Sequence, residues 1–244
     1  MAYADLLTDP ALLAHYKLDE ADGASTIVDS SGNANDLAVV ESGSITRTSV
    51  DAPLQALSAM RFVVTGGTLS GFNPAAHFIP DATDVTIAAW IRLNVITGQS
   101  LITVKSANFD GVTDGIRVCL STATYWGAAL NKDGPSLTRL RSGTNNKPVI
   151  NFWYAVFVTM VYSTAVVKPI IFGVLPSTSS MTPLYGSAIA GNGTYKMNAD
   201  LSNMMIFSKV LSDAEMIDYI YGPNSGSDVR GIQQGIYMGE HGVI

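Results

Sequence analysis

From "LLAHYKL" at Leu12 to "LSNMMIFSKVL" at Leu201, strand-length runs rich in β-branched and aromatic residues follow one another, separated by Gly, Asn, Asp, Ser and Pro, and almost nothing shows helical spacing. Such a chain must pair its strands into antiparallel sheets and bury one face of each. "LLAHYKL" alternates, with Leu12, Ala14, Tyr16 and Leu18 on one face and Leu13, His15 and Lys17 on the other. "DVTIAAWIRLN" sets Val85, Ile87, Ala89, Ile91 and Leu93 against Thr86, Trp90, Arg92 and Asn94. The order of many short strands without β-α alternation predicts an all-β, two-sheet antiparallel sandwich. One helix is expected late in the chain, at "LSDAEMIDYIYG". There Ser212 caps, Glu215 reaches back in a capping box, and Gly222 with Pro223 supplies the stop.

Across 244 residues, 47% are hydrophobic and 14% charged, enough for a sizeable core in a single large β unit. We divide the chain into a lead-in, 1–11, a sandwich domain, 12–221, and a Gly- and Ser-rich arm, 222–244, which either docks on a neighbouring subunit or folds back on its own domain. The net charge of -6 argues against nucleic acid as the main partner, since phosphate recognition needs clustered cations. The longest apolar run, Val149 to Tyr162, is shorter than the roughly 20 residues of a membrane helix, and no membrane span or signal peptide is expected. The single cysteine, Cys119, rules out an intrachain disulfide and reads as a buried thiol rather than a nucleophile.

Three segments, in order, resemble the LamG-like jelly-roll family of concanavalin A-like lectins and glucanases: "LLAHYKLDEADGASTIVDSSGNANDL", "DVTIAAWIRLN" and "ADLSNMMIFSKVLSDAEMIDYIYG". "NFWYAVFVTMVYS" is similar to the Trp-containing strand of that family. The resemblance spans Leu12 to Tyr221 and implies a jelly-roll sandwich, often with a bound calcium ion and a concave sugar-binding face; chemistry is optional in the family.

The loop "VDSSGNAND" supplies Asp29, Asn33, Asn35 and Asp36, oxygen donors of the kind calcium takes on a flexible loop, and the resemblance carries Asp29 and Asn33 over first. The other reading is an Asx-rich turn hydrogen-bonding its own backbone. The closing strand departs from the family pattern, with Ser202 and Asn203 where an acidic pair is usual. Asp19, Glu20 and Asp22 read as a solvated turn rather than a catalytic site, because no strand sets two carboxylates on one face for glycoside hydrolysis. His15, His77 and His241 lack metal-ligand spacing, and "TGGTLSG" lacks the setting of a phosphate cradle. "GNGT" at Asn192 reads as a hairpin turn.

For a sugar platform the candidates are Tyr125 and Trp126, with Tyr185 and Tyr195 in loop-like stretches; core packing is the competing role for each, and Trp90 and Trp153 belong to the core by position. Arg139 and Arg141, with Lys132 and Lys147, form a basic patch suited to an anionic polysaccharide or a neighbouring subunit, or else simply a solvated hairpin. The strand "FWYAVFVTMVY", apolar on both faces, points to a homo-oligomer. Together these features predict a non-catalytic surface protein, a phage virion component such as a capsid decoration or fibre module that binds carbohydrate. The alternatives are a purely structural assembly protein and a glycosidase or polysaccharide lyase on the same fold.

Overall fold

A computed structural model describes residues 3–38, 45–53, 57–64, 73–74, 83–96, 99–104, 115–120, 126–131, 137–141, 148–164, 166–171 and 198–222. The chain runs α1 (Tyr3–Leu7), β1 (Leu12–Tyr16), β2 (Thr26–Ile27), β3 (Leu37–Ala38), β4 (Ile45–Val50), β5 (Ala59–Val64), β6 (Asn73–Pro74), β7 (Val85–Leu93) and β8 (Gln99–Val104). It continues through β9 (Gly115–Leu120), β10 (Trp126–Asn131), β11 (Leu137–Arg141), β12 (Trp153–Val161), β13 (Val166–Ile171), β14 (Asn198–Phe207) and α2 (Asp213–Tyr221). Its large sheet has the order β13-β12-β7-β14-β5-β4, a second sheet has β11-β10-β9-β8, and the short strands form β2-β3-β6.

Alternation along the long strands decides what each face buries. The inner face carries Ile87, Ile91, Val156, Val158, Leu201 and Ile206, which pack with Leu101, Ile102, Val118 and Ala128 of the second sheet in one apolar cluster. This is the two-sheet antiparallel sandwich that the strand pattern predicts. The outer face of the large sheet is covered over one half by the two helices. There Ala88, Trp90, Phe157, Met205 and Phe207 meet Leu6 of α1 and Met216, Tyr219 and Ile220 of α2. Phe157 and Tyr219 meet edge to face at 5.2 Å.

The capping box of α2 is present as expected, with Ser212 Oγ accepting from the Glu215 amide and the Glu215 carboxylate accepting from the Ser212 amide. Lys209 bridges Asp9 and Glu215, each at 2.5 Å, so α2 is tied to the segment after α1. Gly222 ends the helix in a right-handed conformation, φ -60°, so its freedom at positive φ is not what the position uses. A Cβ there would lie 1.9 Å from Tyr3 Cβ and 2.9 Å from Tyr3 Cα; glycine lets α1 cross the end of α2 at that distance.

Three expectations need correction. The lead-in 1–11 contains the helix α1, whose buried Leu6 seals the outer cluster. Leu12 joins the outer cluster rather than the face of Ala14 and Tyr16, because the register with β14 shifts between Leu12 and Ala14 and a bulge resets the alternation. Both apolar faces of β12 are covered within the chain, by the second sheet inside and by α2 outside, so that strand supplies no argument for a subunit contact. The arm beyond Gly222, the histidines at 77 and 241, "TGGTLSG", "GNGT", Tyr185 and Tyr195 lie outside the described residues, as does the side chain of Cys119.

Candidate functional site

The acidic loop after β1 is built around one carboxylate. Asp29 Oδ1 accepts from the amides of His15 and Ser31, both at 2.9 Å, and Oδ2 accepts from Ser31 Oγ at 2.8 Å and the Asn35 amide at 3.0 Å. Asp36 Oδ1 accepts from the Asp29 amide at 2.7 Å. The side-chain amides of Asn33 and Asn35 turn their N–H groups inward, donating to the carbonyls of Leu12 and Leu13. Burial alone would raise the Asp29 carboxyl, but these hydrogen bonds outweigh it and hold the group below the usual carboxylate range.

The structure therefore brings Asp29, Asn33, Asn35 and Asp36 together, but as a knot that fastens the loop to β1. Each oxygen of Asp29 already accepts two hydrogen bonds, so the carboxylate at the centre of the loop is committed to protein donors and would have to give them up to ligate calcium. Among the described residues no cluster of three or more His, Asp, Glu or Cys could hold a metal. Gly32, at φ +90°, makes the reversal that the loop requires. Glu20 and Asp22 act similarly, accepting from the amides of Val28 and Ser49.

Of the proposed ligand contacts, Trp126 is fully buried, edge-on to Tyr154 at 5.3 Å, so it lies in the core and presents no face to a sugar. The alternation that begins at β10 turns the indole inward. Tyr125 and the side chains of Arg139 and Arg141 fall outside the described residues; the backbone of both arginines lies in β11, opposite Ala129 and Gly127 of β10.

A second polar knot sits where β14 changes partners. On the side away from β7, β14 pairs first with β5, up to Ser202, and then with β1, from Met204. Asn203 lies between, buried, at φ +48°, a conformation asparagine adopts more readily than most residues. Its Oδ1 meets His15 Nε2 at 2.8 Å and accepts from the Tyr3 hydroxyl at 3.0 Å, and its carbonyl accepts from the Tyr219 hydroxyl at 2.5 Å. Burial pushes the Tyr3 hydroxyl up to about 12, partly opposed by that bond, and pushes the His15 imidazole below its ordinary value. Where an acidic pair is usual, Asn203 thus joins both helices to the sheet, and the Ser202 hydroxyl donates to the Ser58 carbonyl.

The half of the outer face that the helices leave clear carries a different set. In cross-strand register lie Trp153 of β12, Arg92 of β7, Asp200 of β14, Arg61 of β5 and Thr48 of β4. Asp200 is fully buried, and Arg61 Nε and Nη2 grip its two oxygens at 2.7 and 3.0 Å. Arg92 Nε adds a contact at 2.6 Å and Asn94 Nδ2 one at 3.0 Å. Arg61 Nη2 also donates to Asn94 Oδ1 at 3.1 Å. Burial would raise the Asp200 carboxyl; the bonds from Arg61, Asn94 and Arg92 overcome it and hold the group ionised to unusually low pH.

The Arg92 guanidinium lies 4.8 Å above the Trp153 ring. The turn before β12 sits at the same end, because the Asn151 amide donates to the Leu93 carbonyl at 2.8 Å. That turn exposes Val149, Ile150 and Phe152, Phe152 at 54%. The side chain of Arg61 is 38% exposed and that of Arg92 18%, so the row is open to a ligand from the solvent side. Sequence reading placed Trp153 in the core and left the row unassigned. The signal was there, in the charges of "SAMRFVV", "AAWIRLN" and "NADLSNMM" interrupting otherwise apolar strands, since a charge inside a sheet demands a partner.

No family model matches the sequence, and no curated protein matches it either. Solved structures do. The receptor-binding domain of botulinum neurotoxin D superposes with a TM-score of 0.55 at 15% identity over 86% of this chain and 52% of its own. A botulinum neurotoxin type C structure, whose cell entry depends on interaction with two ganglioside molecules, gives 0.51 at 18% over 90% and 52%. Trypanosoma rangeli sialidase, in complex with a difluoro sugar-acid analogue, 2,3-difluoro-KDN, gives 0.55 at 13% over 89% and 34%. The chain spans about half the length of the toxin domains and a third of the sialidase. At these identities the likeness is one of fold, a β-sandwich also found in binding domains.

Proposed function

We propose that this protein is a non-catalytic carbohydrate-recognition module of the LamG-like, concanavalin A-like kind, binding through the clear half of its outer sheet face. The observation that carries the reading is the row Trp153–Arg92–Asp200–Arg61. A buried carboxylate fixes two guanidiniums in place before any ligand arrives, and fixed donors lose little entropy on binding. The half-buried Trp153 ring against Arg92 adds apolar surface of the sort that pyranose C–H groups contact. The ganglioside dependence of the neurotoxin and the sugar analogue on the sialidase support carbohydrate as the ligand class.

A recognition role is also favoured over hydrolysis by how the buried carboxylates are used. Asp200 is spent on two arginines, Asp29 on backbone amides, and Glu215 on Lys209 and the cap of α2. Each of these carboxylates is engaged by a cation or by backbone amides, where a glycosidase needs an acid and a base turned to the substrate. The setting we propose is a virion surface, as a capsid decoration or fibre module; the Ser-, Thr- and Gly-rich sequence with few charges supports it.

The test is binding of the folded protein to an immobilised panel of bacterial and animal glycans, with Trp153→Ala as the paired variant. Retention of at least one glycan, weakened about tenfold by the substitution, is the expected result. Absence of binding to every glycan by protein that melts cooperatively would discard the reading and leave a structural assembly role.

A further inference from the structure

Building on that reading, we infer that the sugar held by the Arg92–Asp200–Arg61 row carries a carboxylate. The charged acceptor in the row is consumed internally, with Asp200 taking four hydrogen bonds, and Asn94 Oδ1 takes one from Arg61. What remains is chiefly donors. Among the described residues nothing takes up the Nη1 and Nη2 hydrogens of Arg92 or the Nη1 hydrogens of Arg61. Two guanidinium charges against one carboxylate leave the row with one net positive charge.

A neutral sugar offers hydroxyls, each of which brings a hydrogen needing an acceptor, and the row has few to give, the Thr48 hydroxyl and one lone pair of Asn94 Oδ1. A carboxylate brings acceptors alone and matches a guanidinium fork in two parallel bonds. The Trp153 ring under Arg92 adds to this, because it orients the guanidinium and replaces part of its water on one side. The whole chain carries -6, which repels a dense polyanion, so the fitting ligand is an oligosaccharide with a single acidic residue rather than a heavily charged polymer.

The experiment uses the intact chain and three probes, glucuronosyl-lactose and sialyl-lactose, each beside its carboxyl-reduced counterpart, and lactose itself, measured by calorimetry or by NMR shift perturbation. At least one acidic probe should bind about ten- to hundredfold more tightly than its reduced form. Arg92→Lys, which keeps the charge but loses the fork, should erase most of that difference while the protein still melts cooperatively. Equal binding of the acidic and reduced forms would overturn the carboxylate inference and leave carbohydrate recognition standing. An acidic preference untouched by Arg92→Lys would move the site away from this row. Failure of all the probes, together with failure of the glycan panel, would overturn both readings.

Discussion

Replacing Asp200 by Asn tests whether the row is held by charge. The substitution keeps the shape and removes the one anion between two cations. Deleting one partner of a buried ion pair costs about 3–5 kcal/mol, because the remaining charge is stranded without water. Here the strandings are partial: the side chains of Arg61 and Arg92 are 38% and 18% exposed, so water recovers part of the loss and about 2–3 kcal/mol is expected. For a chain of this length that corresponds to a melting point lower by roughly 4–12 °C at neutral pH.

The sign with pH follows from linkage. The Asp200 carboxyl sits below 3.8, its value in the unfolded chain, so the unfolded state binds the proton first as acid is added. Its contribution is complete above about pH 4 and is lost as the pH falls through the lower, folded value. Asp29 and Glu215 shift in the same direction, so the wild-type profile alone is a composite. The difference between wild type and Asp200→Asn isolates one group: the gap in melting temperature, followed by circular dichroism, should close below about pH 4. A variant within about 0.5 kcal/mol of wild type at pH 7, or a gap constant down to about pH 2, would show that the buried pair contributes nothing and that the row is not preorganised.

Gly222→Ala should lower stability by about 1–3 kcal/mol in urea titration, since its Cβ would meet both Cβ and Cα of Tyr3 and no side-chain rotation clears the latter. Ser212→Ala removes the cap of α2 and should cost about 1 kcal/mol; a neutral result would mean that packing of Tyr219 and Ile220 alone holds the helix. Asn203→Ala should cost about 2–4 kcal/mol, with Asn203→Gly recovering only the backbone part, because the amide that joins His15 and Tyr3 is absent in both. Calcium should leave the melting temperature unchanged; a rise reversed by a chelator would show that Asp29 gives up its hydrogen bonds for an ion.

The two faces of β7 could be read from the chain alone, because an unbroken alternation over Val85–Leu93 leaves only one way to divide it. β1 defeated the same rule. One bulge at Leu13 sends Leu12 to the helix side, and a bulge depends on the partner strand, which a period-2 pattern does not contain. The helix α2 was legible through its capping box, a purely local device, whereas α1 is a single turn held by Leu6 and the contact of Tyr3 with Gly222. The site was the least legible part. Arg61, Arg92, Trp153 and Asp200 are far apart in sequence and meet only through the registers of three strand pairs.

Why the charges gather at that end follows from how the outer face is shared. The helices are short, and after α2 is docked over Phe157 and Phe207 it reaches no further along the strands. Towards Asn198 and Trp153 the same strands continue beyond the two helices. Apolar residues there would form an exposed sheet face open to association. Arginine solves this with a long stem lying on the sheet and a charged head toward water, and Asp200 lets two such heads sit side by side without repelling each other. Solubility alone would be met by lysine or glutamate pointing outward. A fully buried aspartate that consumes its acceptors on two guanidiniums, one of them seated on an indole, costs desolvation that solubility does not require, and fixed, unspent donors are what that cost secures.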